Sequence, residues 1–73
     1  MTISEITKKI MSFTDDIILT YKSDEIFINP WSKKKFEVGY KDIFKTYDNI
    51  DSLMNDKIFD GKSLAEIAPN VTY

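Results

Sequence analysis

The sequence predicts a small α+β domain with an N-terminal helix, an antiparallel sheet of three or four strands and two short C-terminal helices. Three observations support this class. Apolar residues near the N-terminus recur at helical spacing, the middle of the chain has short runs of β-branched and aromatic residues, and two helix-cap patterns follow. A chain of 73 residues has room for one hydrophobic core. Residues 1–73 are therefore predicted to form a single domain.

The N-terminal segment has the pattern of a capped amphipathic helix. Thr2 followed by Glu5 is typical of a capping box, in which each side chain bonds the other residue's backbone N–H. Apolar residues then recur every three or four positions: Ile3, Ile6, Ile10 and Phe13. This spacing predicts a helix over residues 3–13.

The middle of the chain favours strands. Residues 17–21 and 26–28 are predicted to form a hairpin, with a turn at Ser23 and Asp24 and with Asn29 and Pro30 ending the second strand. A third strand is predicted where apolar residues alternate with other types, at Phe36, Val38 and Tyr40. Residues 43–47 offer a fourth strand.

Two short helices are predicted to follow the strands. Asp48 or Asn49 can cap a helix whose apolar side carries Ile50, Leu53 and Met54. A turn is expected at Asp60 and Gly61, because glycine readily adopts positive φ. Ser63 with Glu66 repeats the capping-box pattern, and Pro69 ends a last turn whose buried side is expected to be Leu64, Ile67 and Ala68.

The predicted hairpin has apolar residues at consecutive positions on both strands, so both faces of the sheet carry hydrophobic side chains. The favoured interpretation is intramolecular: the N-terminal helix covers one face and the C-terminal helices cover the other. The alternative is that one face stays open for a partner, since a large exposed apolar patch usually marks an interaction site.

Composition argues against catalysis. The chain has no His and no Cys, the residues that most often supply acid–base and nucleophilic chemistry and soft zinc ligands. The carboxylate pairs Asp15–Asp16 and Asp24–Glu25 are interpreted as solvated turns. The residues after Asp56 fail the spacing of a calcium loop, and Gly61-Lys62-Ser63 lacks the first glycine of a phosphate loop. We expect no enzyme activity, no cofactor and no metal site.

A basic and aromatic segment spans residues 31–45, although the whole chain has a net charge of −2. It contains five lysines against two carboxylates, and Trp31 and Phe36 flank the triple lysine of Lys33, Lys34 and Lys35. Aromatic rings beside ammonium groups are typical of single-stranded nucleic-acid binding. The acidic balance and the absence of Arg make this the alternative function.

The leading hypothesis is a small non-enzymatic module that binds a protein partner, with a homodimer as the simplest form. Trp and Tyr provide large contact areas at low entropic cost. The candidate partner surface comprises Trp31, Lys33, Lys34, Lys35, Phe36, Tyr40 and Tyr47, although any of the aromatic residues could equally belong to the core. No window is apolar enough for a membrane span, and no signal peptide is apparent, so we expect a cytoplasmic protein.

The order FKTYDNIDSLMNDKIFDGKSLAEI, from Phe44 through Ile67, resembles the C-terminal part of small uncharacterised proteins of low-GC Gram-positive bacteria and their phages or mobile elements. The most specific part of the resemblance is DGKSL at Asp60 to Leu64. It implies no catalytic residue. Small proteins of phages and mobile elements commonly bind a macromolecule, so the resemblance implies an adaptor or inhibitor role.

Overall fold

A computed structural model describes residues 1–13 and 16–73; Asp15, in the first predicted carboxylate pair, lies outside them. Helix α1 spans Ile3–Ile10, and the strands β1 to β4 span Ile17–Tyr21, Asp24–Ser32, Lys35–Tyr40 and Ile43–Tyr47. Helices α2, Ile50–Asn55, and α3, Leu64–Ile67, follow. A 3-10 turn, Ala68–Asn70, then leads into strand β5, Val71–Thr72. The predicted α+β class is confirmed.

The strands form one antiparallel sheet in the order β4-β3-β2-β1-β5. The described residues thus form five strands, where the sequence predicted three or four. The additional strand, β5, pairs Val71 with Tyr21 and Thr72 with Thr20. Two residues are too few to show the alternation that identifies a strand in a sequence.

The second strand is longer than predicted, because β2 continues through Asn29 and Pro30 to Ser32. The two-residue turn makes Tyr21 and Asp24 a hydrogen-bonded pair, so the even-numbered residues of β2 direct their N–H groups toward β1. Ile28 is the last residue of β2 in register with β1. The N–H that Pro30 lacks would therefore point to the side where β1 has already ended, so no hydrogen bond is lost. The pairing of Pro30 with Phe36 of β3 is preserved.

The predicted helix caps are present. Thr2 and Ser63 each form a full capping box, with Glu5 and Glu66 respectively, and Asn49 caps α2. Helix α1 ends three residues earlier than predicted. The Ser12 hydroxyl donates to the Lys9 carbonyl oxygen at 2.7 Å, a local bond that competes with helical pairing.

Phe13 contributes to the core from outside the helix. Its backbone adopts a left-handed conformation, with φ of 53°, and its ring centroid lies 6.1 Å from that of Phe36. The apolar spacing therefore correctly indicated that Phe13 packs on the core. It was wrong in placing Phe13 within the helix.

Two reversals of the chain use positive φ at both central residues, as type I′ turns require. Lys22 and Ser23, with φ of 49° and 68°, connect β1 to β2. Asp60 and Gly61, with φ of 56° and 81°, reverse the chain between Phe59 and Lys62, which exchange backbone hydrogen bonds of 2.9 and 3.0 Å. The predicted turn at Asp60 and Gly61 is confirmed.

A single core lies between one face of the sheet, here called the inner face, and all the helices. The helices contribute Ile6, Ile10, Leu53, Met54, Leu64 and Ile67 to this cluster. The sheet contributes alternate residues of its strands: Ile17, Leu19, Tyr21, Ile26, Ile28, Phe36, Val38, Tyr40, Tyr47 and Val71. The prediction that helices cover both faces is therefore wrong: within residues 1–13 and 16–73, no helix lies over the opposite side of the sheet, here called the outer face.

No helix within residues 1–13 and 16–73 is long and apolar enough to cross a membrane.

Candidate protein-interaction surface

The outer face carries a row of apolar residues that crosses four strands in register. Ile18 pairs with Phe27, Phe27 with Gly39, and Gly39 with Phe44. The exposed fractions of Ile18, Phe27 and Phe44 are 45, 48 and 66%. Side chains on one face of adjacent strands are direct neighbours, so these residues form one continuous patch, here called the apolar row.

Gly39 leaves a shallow slot in the apolar row. A Cβ atom built on Gly39 would lie 3.8 Å from the Cβ of Phe27 and 3.9 Å from Cδ2 of Phe44, which are ordinary van der Waals separations. The Gly39 backbone thus lies between the two phenylalanine side chains and is partly covered by them. A side chain from outside the molecule could approach the sheet more closely here than at any residue that has a Cβ.

Polar residues border the apolar row toward the β2–β3 turn. In register across the sheet are Asn29, Glu37 and Thr46. With its amide nitrogen oriented toward β1, the Asn29 side chain donates to Oδ1 of Asp16 at 2.6 Å. Beyond this polar line, the indole N–H of Trp31 donates to the Glu37 carboxylate.

The seven residues of the candidate partner surface deduced from the sequence fall into two groups in the structure, four exposed and three buried. Trp31 is 66% exposed, and the lysines Lys33, Lys34 and Lys35 are exposed around the β2–β3 turn. Lys35 Nζ lies 5.8 Å from the centroid of the Trp31 ring. These four residues lie together at one end of the sheet.

Phe36, Tyr40 and Tyr47 lie instead in the core, with exposed fractions of 0, 1 and 7%. Phe36 and Tyr40 occupy inner-face positions of β3, and Tyr47 is on the inner face at the end of β4. Their rings cannot form part of a surface for a partner, because they are buried in the core, where Phe13 packs on Phe36 and Phe59 packs on Tyr40. This corrects the surface deduced from sequence, which loses these three residues.

Two carboxylates hold the tyrosine hydroxyl groups and lysines at the rim of the core. Asp56 accepts from the Tyr47 hydroxyl at 2.8 Å and from Lys45 Nζ. These hydrogen bonds lower the pKa of Asp56 below its ordinary value, and the bond from Lys45 has the larger effect. The pKa of Tyr47 is raised, mainly by burial and secondly by its hydrogen bond to Asp56. Both groups therefore keep their usual charge states at neutral pH.

The second carboxylate, Asp60, makes the corresponding contacts with Tyr40 and Lys41. It accepts from Lys41 Nζ at 3.1 Å and from the Tyr40 hydroxyl at 3.2 Å, and the Lys41 bond is the main reason that its pKa is lowered. Lys41 Nζ also lies 3.6 Å from Asp24. Two of the five lysines in the basic segment, Lys41 and Lys45, are thus paired with carboxylates from outside that segment.

The sequence pattern identified Ile18 and Phe27 as apolar residues of the hairpin, but it did not show that they would be exposed. Apolar residues occupy consecutive positions in the hairpin, so alternation alone could not show whether Ile18 and Phe27 or their neighbours would face the helices. Phe44 was missed, because its strand carries apolar residues on both faces and was predicted only as a possible fourth strand. Its register with Gly39 and Phe27 is a property of the tertiary structure.

Comparison of the chain with protein-family models, with curated proteins and with solved structures finds no match. Among the described residues, no group of three or more acidic, His or Cys side chains is arranged to hold a metal ion.

Proposed function

We propose that this chain is a non-enzymatic protein-binding module that holds its partner on the outer face of the sheet. The observation that carries the proposal is the exposed apolar row of Ile18, Phe27 and Phe44 on either side of Gly39. A contiguous apolar patch with a polar border is typical of interaction sites. Aromatic side chains near the centre of such a patch commonly supply most of the binding energy.

We propose an adaptor or inhibitor role in the cytoplasm, which is the role that the resemblance noted in the sequence would imply. Such a role needs a surface and no catalytic group. Trp31, next to the polar border and hydrogen-bonded to Glu37, extends the surface with a large exposed ring. Its indole is already oriented by Glu37, so binding would cost little additional side-chain entropy.

Site-specific photo-crosslinking in cells tests this proposal. A benzophenone amino acid replaces Phe44 on the outer face or, as the control, Lys57, which is exposed on the helix side of the molecule. We expect a protein adduct from position 44, either with a second copy or with another protein, and none from position 57. Equal yields at both positions, or no adduct at position 44, would contradict the proposal.

Nucleic-acid binding through residues 31–45 is the alternative, and one observation favours it: Trp31 and the three consecutive lysines are exposed at the same end of the sheet. The same end also holds Glu37, whose carboxylate occupies the indole N–H and would repel a phosphate. Lys41 and Lys45 are engaged by Asp60 and Asp56. The local charge therefore favours the protein-binding proposal.

An oligonucleotide shift assay separates the two functions. The variant with Lys33, Lys34 and Lys35 all changed to Glu loses binding if the alternative is correct, and the binding of the unchanged protein weakens with added salt. The protein-binding proposal predicts no shift by the unchanged protein at low salt. It also predicts that the triple variant gives the same photo-adduct from position 44.

A further inference from the structure

We infer that the partner on the outer face is a second copy of this chain, packed face to face about a two-fold axis that runs nearly along the strands, midway between β2 and β3. This inference rests on the proposed function, and it adds the identity and orientation of the partner. Sheets that pack face to face keep their strands within about 30° of each other, so an axis close to the strand direction is compatible with ordinary sheet packing.

The order of residues in the apolar row supports this arrangement. The axis reverses the row, so that Ile18, Phe27, Gly39 and Phe44 of one copy face Phe44, Gly39, Phe27 and Ile18 of the other. Each Phe27 then faces the slot at Gly39 of the second copy, twice by symmetry. Alternating large and small residues across a sheet interface is how two faces interdigitate without voids.

The polar border is also complementary to itself under this axis. Asn29 on β2 and Glu37 on β3 are in register, so Asn29 of each copy faces Glu37 of the other. The Asn29 amide nitrogen lies 2.6 and 3.2 Å from the two carboxylate oxygens of Asp16, and because a carboxamide carries two N–H groups it can also donate to Glu37 across the interface. At the end of the sheet, where Trp31 and Lys35 lie together within one chain, the axis brings Trp31 of each copy toward Lys35 of the other, which suits a cation–π contact.

The other two-fold axis that could join the two faces runs across the strands and fits less well. It would stack each residue of the apolar row on its own counterpart. Gly39 would face Gly39 of the second copy and leave a void, while the two Phe27 rings and the two Phe44 rings would compete for the same space. Voids and overpacked rings are both destabilising, so the axis along the strands is favoured.

The area of the outer face is suited to a small dimer. Aromatic side chains bury about 150–250 Å² each, so the exposed parts of Ile18, Phe27, Trp31 and Phe44 offer on the order of 500 Å². Polar residues of the same face, including Thr20, Asn29, Glu37 and Thr46, bring the total to roughly 600–800 Å² per partner. That is the range of specific protein interfaces.

The first experiment measures self-association of the purified chain by sedimentation equilibrium from micromolar to millimolar concentration. We expect a dimer that Gly39→Val weakens at least about 30-fold, because the added methyl groups fill the slot. Phe27→Ser, which removes the ring and leaves the slot open, should weaken it similarly. Ile3→Ala, a change at an exposed apolar residue of α1, should leave the dissociation constant unchanged.

Circular dichroism of each variant checks that the monomer fold is kept. The Cβ separations at Gly39 leave room for a first side-chain carbon, and Phe27→Ser provides the independent test should Gly39→Val not fold. The inference is overturned if the unchanged chain is monomeric over the whole range, or if it dimerises and neither of the two outer-face variants alters the dimer.

A second experiment tests the axis. Because the chain has no Cys, thiols can be introduced singly at Ile18 or at Phe44 and linked with a short bismaleimide. A mixture of Ile18→Cys and Phe44→Cys chains should form cross-linked dimers in higher yield than either variant alone, since these two positions face each other. Preferential linking of Phe44→Cys to itself would overturn the arrangement and favour the axis across the strands.

Failure of this inference can be distinguished from failure of the proposed function. If the purified chain is monomeric while the benzophenone at position 44 captures a different protein in cells, the second-copy inference falls and protein binding at the outer face remains. If the chain is monomeric and position 44 captures nothing, both fall.

Discussion

Asp56 shows how one side chain joins two parts of the fold. It lies at the end of α2, and its carboxylate accepts from Tyr47 and Lys45, both on β4. Tyr47 is an edge-strand residue, yet only 7% of its surface is exposed. A buried hydroxyl needs a partner, and Asp56 supplies it where the strand has no further neighbour.

We predict that acid unfolds this protein partly through Asp56 and Asp60. Their pKa values are lowered in the folded state, chiefly by Lys45 and Lys41 respectively, from an ordinary value of 3.8. A lowered carboxyl pKa adds stability that is complete above the unfolded value and is lost as pH falls through the folded value. The free energy of unfolding should therefore fall below about pH 4.

Urea unfolding at a series of pH values checks this, with Asp56→Asn as the test and Asp42→Asn, at an exposed turn, as the control. Asp56→Asn should lower the free energy of unfolding at pH 7 by about 1 kcal/mol and make its fall in acid shallower. Asp42→Asn should leave both nearly unchanged. An equally steep fall for Asp56→Asn would show that Asp56 does not contribute.

At the scale of the elements, short connections with defined turn chemistry set the topology. The two-residue turn at Lys22 and Ser23 fixes the register of β1 on β2, and that register determines that Ile18 and Phe27 lie on the outer face. Two residues with side chains adopt left-handed φ there, at a conformational cost that the surrounding sheet offsets.

The turn at Asp60 and Gly61 gives a direct test of this chemistry. Gly61 has φ of 81°, and a Cβ added there would meet no atom within 4 Å, so substitution is opposed by backbone strain alone. Gly61→Ala should destabilise the protein by about 1 kcal/mol, whereas Gly61→Asn should cost less, because Asn tolerates left-handed φ. Thermal and urea unfolding measure both; equal costs for the two variants would contradict the explanation.

At the scale of the whole molecule, the two ends of the chain complete the core together. Val71 of β5 is fully buried and pairs with Tyr21. The Met1 ammonium nitrogen donates to the carbonyl oxygens of Val71 at 2.8 Å and Ala68 at 3.1 Å. These contacts join the start of α1 to the segment that adds the fifth strand.

We predict that Val71→Ala destabilises the domain far more than its position in a two-residue strand would suggest. Removing two buried methyl groups from a small core should cost roughly 2 kcal/mol. Thr72→Ala, on the exposed side of the same strand, should cost less than about 0.5 kcal/mol. Urea unfolding of the two variants gives the comparison, and similar losses for both would argue that β5 does not close the core.

Much of the local structure follows from patterns in the amino-acid sequence. The cap pairs at Thr2 and Ser63, the turn at Asp60 and Gly61, and the alternation of Phe36, Val38 and Tyr40 depend on neighbours close in the chain, so short-range patterns suffice to predict them. The prediction that Pro30 ends the second strand was wrong. A missing N–H interrupts a sheet only where a neighbouring strand would accept its hydrogen bond, and β1 has already ended at Pro30.

The face of the sheet that the helices cover depends on how the whole chain packs. In the hairpin, the residues on both faces are apolar. Alternation therefore showed which residues share a face, but not which face is buried. The helices all pack on the side of Leu19 and Ile26, where α1, α2 and α3 can share a single core. Ile18, Phe27 and Phe44 were thereby left on the outer face, where we propose that the protein meets its partner.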